Sequence, residues 1–519
     1  MGNPIVGETL TLDELAREAD LIRRLNRDTI VHRFERVHPP LEYTTPEILS
    51  AGSEVEVTLV DQNRQPAPMY DELERVVGTE VVSPETFLAH AEVKNGSHNL
   101  FNLVTPYEKM CEIFREMLLP IKTAAETIGI DIALIGNHPV VNNEIGRRMK
   151  SQRSRYRTIE DNIGPHSQSV NVPFLDGDVV VGNDYINDYI LGSLGSSTQT
   201  TLKVPHKFVP HYHDAYNLLG PLLLAISASS PFFDGKATRW DSVRIHLSPP
   251  LEYGFPDSDF KLGRPGRWGV SEPLTVQTGL SRWADRELYD KLKEHTSEEI
   301  ARYFAEEAGY GHLLVTREDL NAPVGTFPKP TRWPWANIHS NRIMSREGLG
   351  IELRMGEMPY SSEEMASFVL TQMAMIQGLV ERMYQGDIHP LTSDQVNGNI
   401  VHCASYALAG EKNVSWPIGT FPNTQETPLR SVFGYLGMVA AEVLERYNYS
   451  RGDIGMIINP VLTKAGVLYQ HDGSFKEIDA EPTPAQMMRN VAYAQQPNVQ
   501  YGERLRPETL SAMMDRFII

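Results

Sequence analysis

Residues 52–61 read Gly-Ser-Glu-Val-Glu-Val-Thr-Leu-Val-Asp, and the two glutamates of this run have a spacing that could support metal chemistry. A β-strand points alternate side chains to opposite faces, so Glu54 and Glu56 would share one face and the valines the other. Neighbouring carboxylates repel each other unless a positive charge lies between them, and a divalent metal ion is the usual solution. A solvated strand face, paired with Lys or Arg of the next strand, fits the pattern equally well.

A second run, residues 350–356, shows the same alternation and reads Gly-Ile-Glu-Leu-Arg-Met-Gly. Glu352 and Arg354 would share one face of this strand. A carboxylate beside a guanidinium suits a metal ion together with a phosphate or carboxylate, because Arg offers a planar pair of donors to an oxyanion. A cross-strand ion pair is the alternative. His339, Arg342 and Arg346 lie just upstream, and this clustering of cations favours anion binding.

The composition limits the classes of partner. Of the 519 residues, 41% are hydrophobic and 22% are charged, as in ordinary soluble globular proteins. The net charge is −19, and the chain has no basic run that could follow a phosphate backbone, so we expect no nucleic-acid partner. The most apolar run, residues 218–226, is too short to span a bilayer, so we expect no membrane partner. Cys111 and Cys403 show no metal-binding or CxxC spacing, and the acidic first twenty residues differ from a signal peptide; both features favour a cytoplasmic location.

The hydrophobic periodicity predicts helices that alternate with strands and hairpins, which indicates an α+β protein with an antiparallel sheet. Residues 249–335 are rich in Pro, Gly and Trp and poor in periodicity, so they are predicted to form an insertion or lid. Helices are predicted over residues 10–36, 107–128 with a bend at Pro120, 210–229 and 361–384; strands are predicted over 52–61, 130–135, 168–182, 196–204 and 349–356, with a hairpin over 81–104 that turns at Asn95-Gly96.

Five motifs between about residue 48 and residue 412 resemble, in order, those of one enzyme family. This family is the carboxylate-amine ligases of the glutamate–cysteine ligase type 2 group. The motifs are Gly52-Ser-Glu-Val-Glu-Val; Ile135-Gly-Asn-His-Pro with Ser154-Arg-Tyr; Ser197-Thr-Gln-Thr-Thr-Leu; Ala225-Ile-Ser-Ala-Ser-Ser-Pro with Gly235 and residues 239–244; and Asn341-Arg342 with Gly350-Ile-Glu-Leu-Arg.

The resemblance implies a glutamine-synthetase-like α+β fold, in which a curved antiparallel sheet forms a funnel-shaped active site and helices lie on the outer face. It also implies an ATP- and Mg²⁺-dependent enzyme, with Mn²⁺ as an alternative metal. In such enzymes a substrate carboxylate takes the terminal phosphoryl group of ATP, and an amine then displaces phosphate to form an amide. These needs match the residues, because triphosphate and acyl phosphate require carboxylate-held metal ions and Arg donors.

The resemblance also assigns roles to individual residues. Metal ligands would be Glu54, Glu56 and Glu352, with Glu92 as the nearest acid on the second hairpin strand. Arg354 and Arg342 would hold phosphate or the acyl phosphate, with Glu54 as a third catalytic residue. Substrate contacts would come from Arg155, Tyr156, Gln199 and Asn399, and the expected substrates are a glutamate-like carboxylate donor and a small amino acid or amine.

Several positions depart from the family pattern. Asn95 and Asn99 stand where relatives carry two acids, which leaves one metal ligand in doubt. Thr201 replaces a second His, and Ser405 replaces an Arg, at positions expected to face the ligands. The sequence therefore does not fix glutamate and cysteine as the substrates.

The predicted organisation is an N-terminal helical extension over residues 1–47, a catalytic domain over 48–412 that contains the 249–335 insertion, and a C-terminal helical extension over 413–519. Two alternatives to the ligase stay open. One is a phosphotransferase that transfers the phosphoryl group to a nitrogen or carboxylate acceptor without forming an amide. The other is a binding or regulatory homologue with reduced catalysis, suggested by Asn95 and Asn99. A homo-oligomer is compatible with the sequence, which does not decide the oligomeric state.

Overall fold

The structure is a computed structural model that describes residues 8–94, 100–166, 170–176, 179–186, 189–247, 268–269, 272–328, 333–339, 344–357, 359–405 and 412–519. The helices within these residues are α1 (Leu12–Arg17), α2 (Ala19–Glu35), α3 (Tyr70–Val77), α4 (Tyr107–Ile128), α5 (Asn143–Arg148), α6 (Ser154–Asn162), α7 (Val209–Ser227), α8 (Val243–His246), α9 (Arg286–Leu292), α10 (Glu298–Ala308), α11 (Ser362–Gln385), α12 (Ser393–Ala404), α13 (Leu429–Arg446), α14 (Arg451–Leu462), α15 (Pro484–Gln495) and α16 (Pro507–Met514).

The strands within the same residues are mostly short. They are β1 (Ser50–Val60), β2 (Val82–Pro84), β3 (His90–Lys94), β4 (Asp131–Ala133), β5 (Val170–Asp176), β6 (Val179–Ile186), β7 (Thr198–Val204), β8 (Phe232–Phe233), β9 (Lys236–Ala237), β10 (Trp268–Gly269), β11 (Trp333–Pro334), β12 (Ala336–His339), β13 (Leu349–Leu353), β14 (Asn413–Pro417), β15 (Thr424–Pro428), β16 (Val467–Tyr469) and β17 (Phe475–Glu477).

One seven-stranded sheet organises the molecule. Its strand order is β12-β13-β7-β1-β3-β2, and β4 pairs with the far end of β1. Each of these pairings is antiparallel. β1 is the longest strand of the sheet because its alternating valines and polar residues suit a strand with one buried face. The strand therefore has room for partners on both sides.

The apolar face of the sheet packs against helices. Val55 and Val57 of β1, and Ile351 of β13, are fully buried in the same hydrophobic core as α4, α7 and α11. These helices carry the apolar stripes that the periodicity predicted, and α7 is buried almost throughout. The polar residues of the strands consequently lie on the opposite face of the sheet.

The two ends of the chain share this core. Ile30 and Phe34 of α2 belong to it, and so do buried residues of α13 and α14, which pack on α11. The predicted insertion contributes α10, which is largely buried and packs on α2 and α7. Tyr303 of α10 accepts a hydrogen bond through its hydroxyl oxygen from the N–H of Ile338 in β12 (3.1 Å). This helix therefore supports the edge of the sheet.

The predicted α+β class with an antiparallel sheet is confirmed by this arrangement. Helix α4 covers the predicted residues 107–128 and is not interrupted at Pro120. The predicted turn at Asn95-Gly96 lies outside the described residues, and the antiparallel pair seen before it joins β2 to β3. No helix of the described residues is long and apolar enough to cross a membrane.

Candidate active site

The polar face of the sheet brings the predicted acids together across neighbouring strands. Glu54 lies opposite Gln199 of β7, and Glu56 lies opposite Glu92 of β3. Glu352 of β13 lies opposite Thr201 of β7. Because paired residues in an antiparallel ladder point to the same side, these side chains share one surface. Both acidic strands therefore lie in one sheet, with β7 between them.

Three carboxylates meet at one end of this face. Glu56, Glu85 and Glu92 each offer an oxygen atom, and these atoms all lie within 4.8 Å of one another. We call these three residues the acid cluster. Glu56 is held from the β7 side, where the Ser197 hydroxyl donates to its Oε2 atom (2.9 Å) and the Gln199 amide donates to its Oε1 atom (2.7 Å). The cluster is therefore anchored on one side.

The electrostatics of the acid cluster are unfavourable without a cation. Burial raises the pKa of Glu92 well above its ordinary value, and the charges of Glu54, Glu85 and Glu56 raise it further. Burial and the charge of Glu56 raise the pKa of Glu85 to about 7. Burial also raises the pKa of Glu56, although the Arg244 guanidinium and the Ser197 hydroxyl oppose that shift. These three upward pKa shifts share one cause, which is the burial of three neighbouring carboxylates.

At the opposite end of the face, a carboxylate is neutralised by a neighbouring arginine. Arg354 donates through Nε to Glu352 Oε2 (2.5 Å) and contacts the same atom through a second guanidinium nitrogen. His339 and Asn337 also approach this oxygen, at 3.6 and 3.3 Å. Burial opposes ionisation of Glu352, but Arg354 and His339 hold its pKa well below the usual range. We call Glu352 and Arg354 the paired end.

Glu54 acts electrostatically on both groups. Its charge raises the pKa of Glu92 in the acid cluster and, after the larger effects of burial and Glu352, the pKa of Arg354 at the paired end. The acid cluster nevertheless consists of Glu56, Glu85 and Glu92, so Glu54 and Glu352 stand outside this group of three. Of the four predicted metal ligands, Glu56 and Glu92 thus lie in the acid cluster, Glu352 lies at the paired end, and Glu54 belongs to neither group.

Glu85 is a residue that the sequence reasoning missed. It follows β2 directly, and β2 pairs with β3 so that Ser83 lies opposite Glu92. Counting two residues on from Ser83 leads to Glu85 on the same side. The clue in the sequence was weak, because the strand is only three residues long and has no periodicity to read. Glu85 thus contributes a third carboxylate without Asn95 or Asn99, which lie outside the described residues.

Arg244 is a second residue to which the sequence reasoning gave no role. Its guanidinium donates to the backbone oxygen of Arg354 (3.2 Å) and lies over the ring of Trp335, 5.9 Å from the centroid. It also lowers the pKa of Glu56 against the effect of burial. Arg244 therefore brings a cation between the acid cluster and the paired end.

The remaining predicted residues differ in their surroundings. Arg155 and Tyr156 lie in the first turn of α6. Arg155 lowers the pKa of Glu85, and burial together with the charge of Glu85 raises the pKa of Tyr156. The Tyr156 hydroxyl donates to the backbone oxygen of Pro84 (2.5 Å), so α6 is fixed beside the acid cluster. Arg342 lies outside the described residues.

Asn399, which was predicted to contact the substrate, uses its side-chain amide for hydrogen bonds to the backbone. The side-chain amide donates to the backbone oxygen of Ser415 (3.0 Å) and accepts from the N–H of the same residue (2.7 Å). Both functions of the amide are therefore used to hold β14 against α12. These bonds give Asn399 a structural role that could not be read from the chain, and its contact with substrate stays a prediction.

With this geometry established, the chain can be compared with known proteins. Residues 50–260 match the model of glutamate-cysteine ligase family 2 (GCS2). The chain carries a GCS2 region. Over these residues the match confirms the resemblance predicted from the motifs. It includes β1, β3 and β7, whereas the paired end lies beyond it.

Solved structures of several ligases align with most of the chain at low identity. A glutamate–cysteine ligase from Francisella tularensis, in complex with AMP, has a TM-score of 0.49 and 11% identity over 92% of this chain and 93% of that chain. A bifunctional glutathione synthetase from Pasteurella multocida has a TM-score of 0.48 and 10% identity over 90% of this chain and 52% of that chain. The ligase PafA in complex with Pup has a TM-score of 0.36 and 10% identity over 90% and 73%. No curated protein sequence matches the chain.

Proposed function

We propose that this protein is a carboxylate-amine ligase that uses ATP and Mg²⁺ to join a glutamate-like amino acid, through its side-chain carboxylate, to an amine. The observation that carries the proposal is the juxtaposition of the acid cluster, Arg244 and the paired end on one sheet face, in a chain with a GCS2 region. Mn²⁺ is an alternative metal. A cytoplasmic location, where ATP is available, belongs to the same proposal.

The acid cluster fits a hard divalent cation. Carboxylate oxygens are the donors that Mg²⁺ prefers. The Oε1 atom of Glu92 is buried and accepts no hydrogen bond from the described residues, and its raised pKa reflects repulsion that a cation would relieve. Glu56, Glu85 and Glu92 would hold the ion, with Glu54 and Glu352 as candidates for a neighbouring position. A bound Mg²⁺ would neutralise phosphate oxygens of ATP and favour phosphoryl transfer.

The cations of the face suit the anionic part of the reaction. Arg354 is held in place by Glu352, so its remaining guanidinium donors would be oriented toward a phosphate or an acyl phosphate without further loss of side-chain freedom. Arg244 lies beside it and has a buried Nη1 atom that makes no hydrogen bond to the described residues. Arg342 belongs to the proposal on the strength of its sequence motif alone.

The proposed reaction has two steps. A carboxylate oxygen of the substrate attacks the terminal phosphorus of ATP, and ADP leaves. The nitrogen of the amine then attacks the acyl carbon, phosphate leaves and the nitrogen loses a proton. Arg354 and Arg244 would stabilise the negative charge that accumulates on the transferring group in the first step and on the leaving phosphate in the second.

Two positions bear on substrate choice. Thr201 lies on the reactive face between Gly52 and Glu352 and is partly exposed, so its smaller side chain replaces the expected imidazole within the site. Ser405 donates to the backbone oxygen of His402 (2.6 Å) and pairs with Trp240. Both changes remove a large basic side chain that relatives carry. We therefore propose that the acid or the amine differs from glutamate or cysteine.

The test is a panel assay with Mg²⁺-ATP, candidate acids and candidate amines, read out by ADP and phosphate release and by mass spectrometry of the product. An amide that appears with one ADP and one phosphate for each turnover supports the ligase. A stable phosphorylated product without an amide would instead establish the phosphotransferase. Tight ligand binding with no ADP release for any pair would establish a binding protein. The three carboxylates of the acid cluster weigh against this alternative.

A further inference from the structure

Glu357 is a fully buried carboxylate four residues beyond the end of β13. One of its oxygens accepts from the N–H of Ser229 (2.6 Å), and the hydroxyl groups of Ser230 (2.9 Å) and Ser242 donate to the other. Its own N–H donates to the hydroxyl oxygen of Ser227 (3.1 Å). A carboxylate with this many donors in a low-dielectric interior has a fixed position. It can therefore fix the groups that donate to it.

One branch of hydrogen bonds leads from this carboxylate to the acid cluster. The Ser229 hydroxyl lies 3.3 Å from Glu357 Oε2 and accepts from the N–H of Gly136 (2.8 Å). The Gly136 carbonyl accepts from the N–H of Ser196 (2.7 Å). The next residue, Ser197, donates to Glu56 through its hydroxyl (2.9 Å). The position of Glu56 thus depends on Ser229.

A second branch leads to Arg244. The Ser230 hydroxyl accepts from the N–H of Arg244 (3.3 Å), and the Ser230 carbonyl accepts from the N–H of Val243 (2.9 Å). These bonds fix the first turn of α8, from which the Arg244 guanidinium reaches Arg354 and Trp335. The position of Arg244 thus depends on Ser230.

Two glycines show how closely these branches are packed. A Cβ atom on Gly136 would lie 2.3 Å from Glu357 Oε2, and a Cβ atom on Gly195 would lie 2.3 Å from Cγ of Arg244. Neither position accepts a larger residue unless the carboxylate or the arginine moves. Gly195 directly precedes Ser196, so the two branches meet at this strand entrance.

We infer that Glu357 is a positioning residue that places Glu56 through Ser229 and places Arg244 through Ser230. The inference rests on the proposed function for its catalytic meaning, because Glu56 and Arg244 are assigned there to the metal ion and the phosphate. Glu357 itself is fully buried and acts through these neighbours. The Ser-Ala-Ser-Ser-Pro motif thereby gains a specific use: its last two serines serve different parts of the site.

Because the two branches begin at different residues, Ser229 and Ser230, each branch can be disrupted by its own substitution. Ser229→Ala should weaken Mn²⁺ binding about tenfold, a usual cost of losing a group that orients a metal ligand, and should leave the ¹⁹F NMR line of Trp335 unchanged in 5-fluorotryptophan-labelled protein. Ser230→Ala should shift the Trp335 line and raise the KM for ATP severalfold while Mn²⁺ affinity stays within twofold. Trp335→Phe assigns the line.

Two further variants complete the design. Glu357→Gln keeps the shape of the side chain and should change both readouts in the same directions as the two serine variants but by less. Ser367→Ala removes another buried serine hydroxyl, which donates to Ile457 on α14, and should change neither readout. Equal changes of both readouts in both serine variants, or no change in either folded variant, would overturn the inference.

Failure of the proposed function would look different. If the wild-type protein bound no Mn²⁺ and released no ADP with any substrate pair, the proposed function would fail. The Trp335 line needs no ligand, so the comparison of Ser229→Ala, Ser230→Ala and Glu357→Gln would still decide whether Glu357 positions Arg244.

Discussion

The acid cluster and the paired end carry the same residue type on the same sheet face, yet their carboxylates differ in ionisation. Glu92 and Glu352 are both almost fully buried. The pKa of Glu92 is raised because burial and neighbouring acids disfavour its charge, whereas Arg354 and His339 hold the pKa of Glu352 well below the usual range despite burial. The comparison teaches that the protein itself supplies the cation at the paired end, whereas the acid cluster has no such partner and is proposed to take its cation from solution.

The largest expected effect comes from removing a carboxylate of the acid cluster. Glu56→Gln should lower kcat/KM on the order of 10³-fold, because the bound metal ion contributes several kcal/mol to transition-state stabilisation. Steady-state kinetics with the active substrate pair, over a range of Mg²⁺ concentrations, measures this loss. Glu112→Gln, on the exposed surface of α4, serves as the control and should retain full activity. Full activity of Glu56→Gln would break the assignment of the cluster to the metal ion.

Removing the acid of the paired end should instead lower stability. Glu352→Gln leaves the buried Arg354 guanidinium without its carboxylate, which costs about 3 kcal/mol in the free energy of unfolding. Urea unfolding measures the loss. Glu347→Gln removes a more exposed ion pair, with Lys203 of β7, and should cost less than about 1 kcal/mol. Equal costs for the two variants would contradict the assigned burial of the pair.

A third prediction concerns a buried histidine, where burial outweighs the opposing effects of the Arg64 backbone oxygen and the Asp61 charge on the pKa. Burial lowers the pKa of His138 to about 4, and its Nε2 atom lies 2.9 Å from the backbone oxygen of Arg64. Below about pH 6.5 His138 is protonated in the unfolded chain but stays neutral in the folded protein. The free energy of unfolding should therefore fall by up to about 1.4 kcal/mol per pH unit down to about pH 4. Above pH 6.5 this effect is absent.

His138→Gln should remove this part of the pH dependence, since glutamine can still donate to the Arg64 carbonyl and has no proton to gain. The free energy of unfolding in urea, measured at half-unit intervals from pH 7 to pH 5, gives the two slopes. Identical slopes for the variant and the wild type would show that His138 titrates normally in the folded protein.

The smallest expected effect has the opposite sign to that of Glu352→Gln. In metal-free protein, Glu92→Gln should raise the free energy of unfolding by about 1 kcal/mol, because it removes a carboxylate whose charge is disfavoured by burial and by its neighbours. Thermal unfolding in the presence of a chelator measures this gain. With saturating Mg²⁺ the order should reverse, because the wild type alone keeps the full ligand set. A loss of stability under both conditions would remove the distinction between the two regions.

The central strands and their polar side chains were predictable from the chain. Strand alternation alone places Glu54 with Glu56 and Glu352 with Arg354, because a period of two is a property of the extended backbone. The main helices follow from apolar stripes that need a surface to cover. By contrast, Asn399 matched a family motif and yet holds a backbone segment, because a motif match carries no information about which way a side chain is turned.

What the sequence determined by itself is therefore local: which residues share a strand face, which helices cover the other face, and which enzyme family the motifs resemble. The tertiary structure decided which acids meet. Glu85 joins Glu56 and Glu92 only because β2 pairs with β3, and Arg244 reaches the face only because Glu357 and its serines hold α8 in place. The physical reason is that ionisation and metal affinity depend on charges within a few ångströms, and those distances are set by strand pairing and burial between residues far apart in the chain.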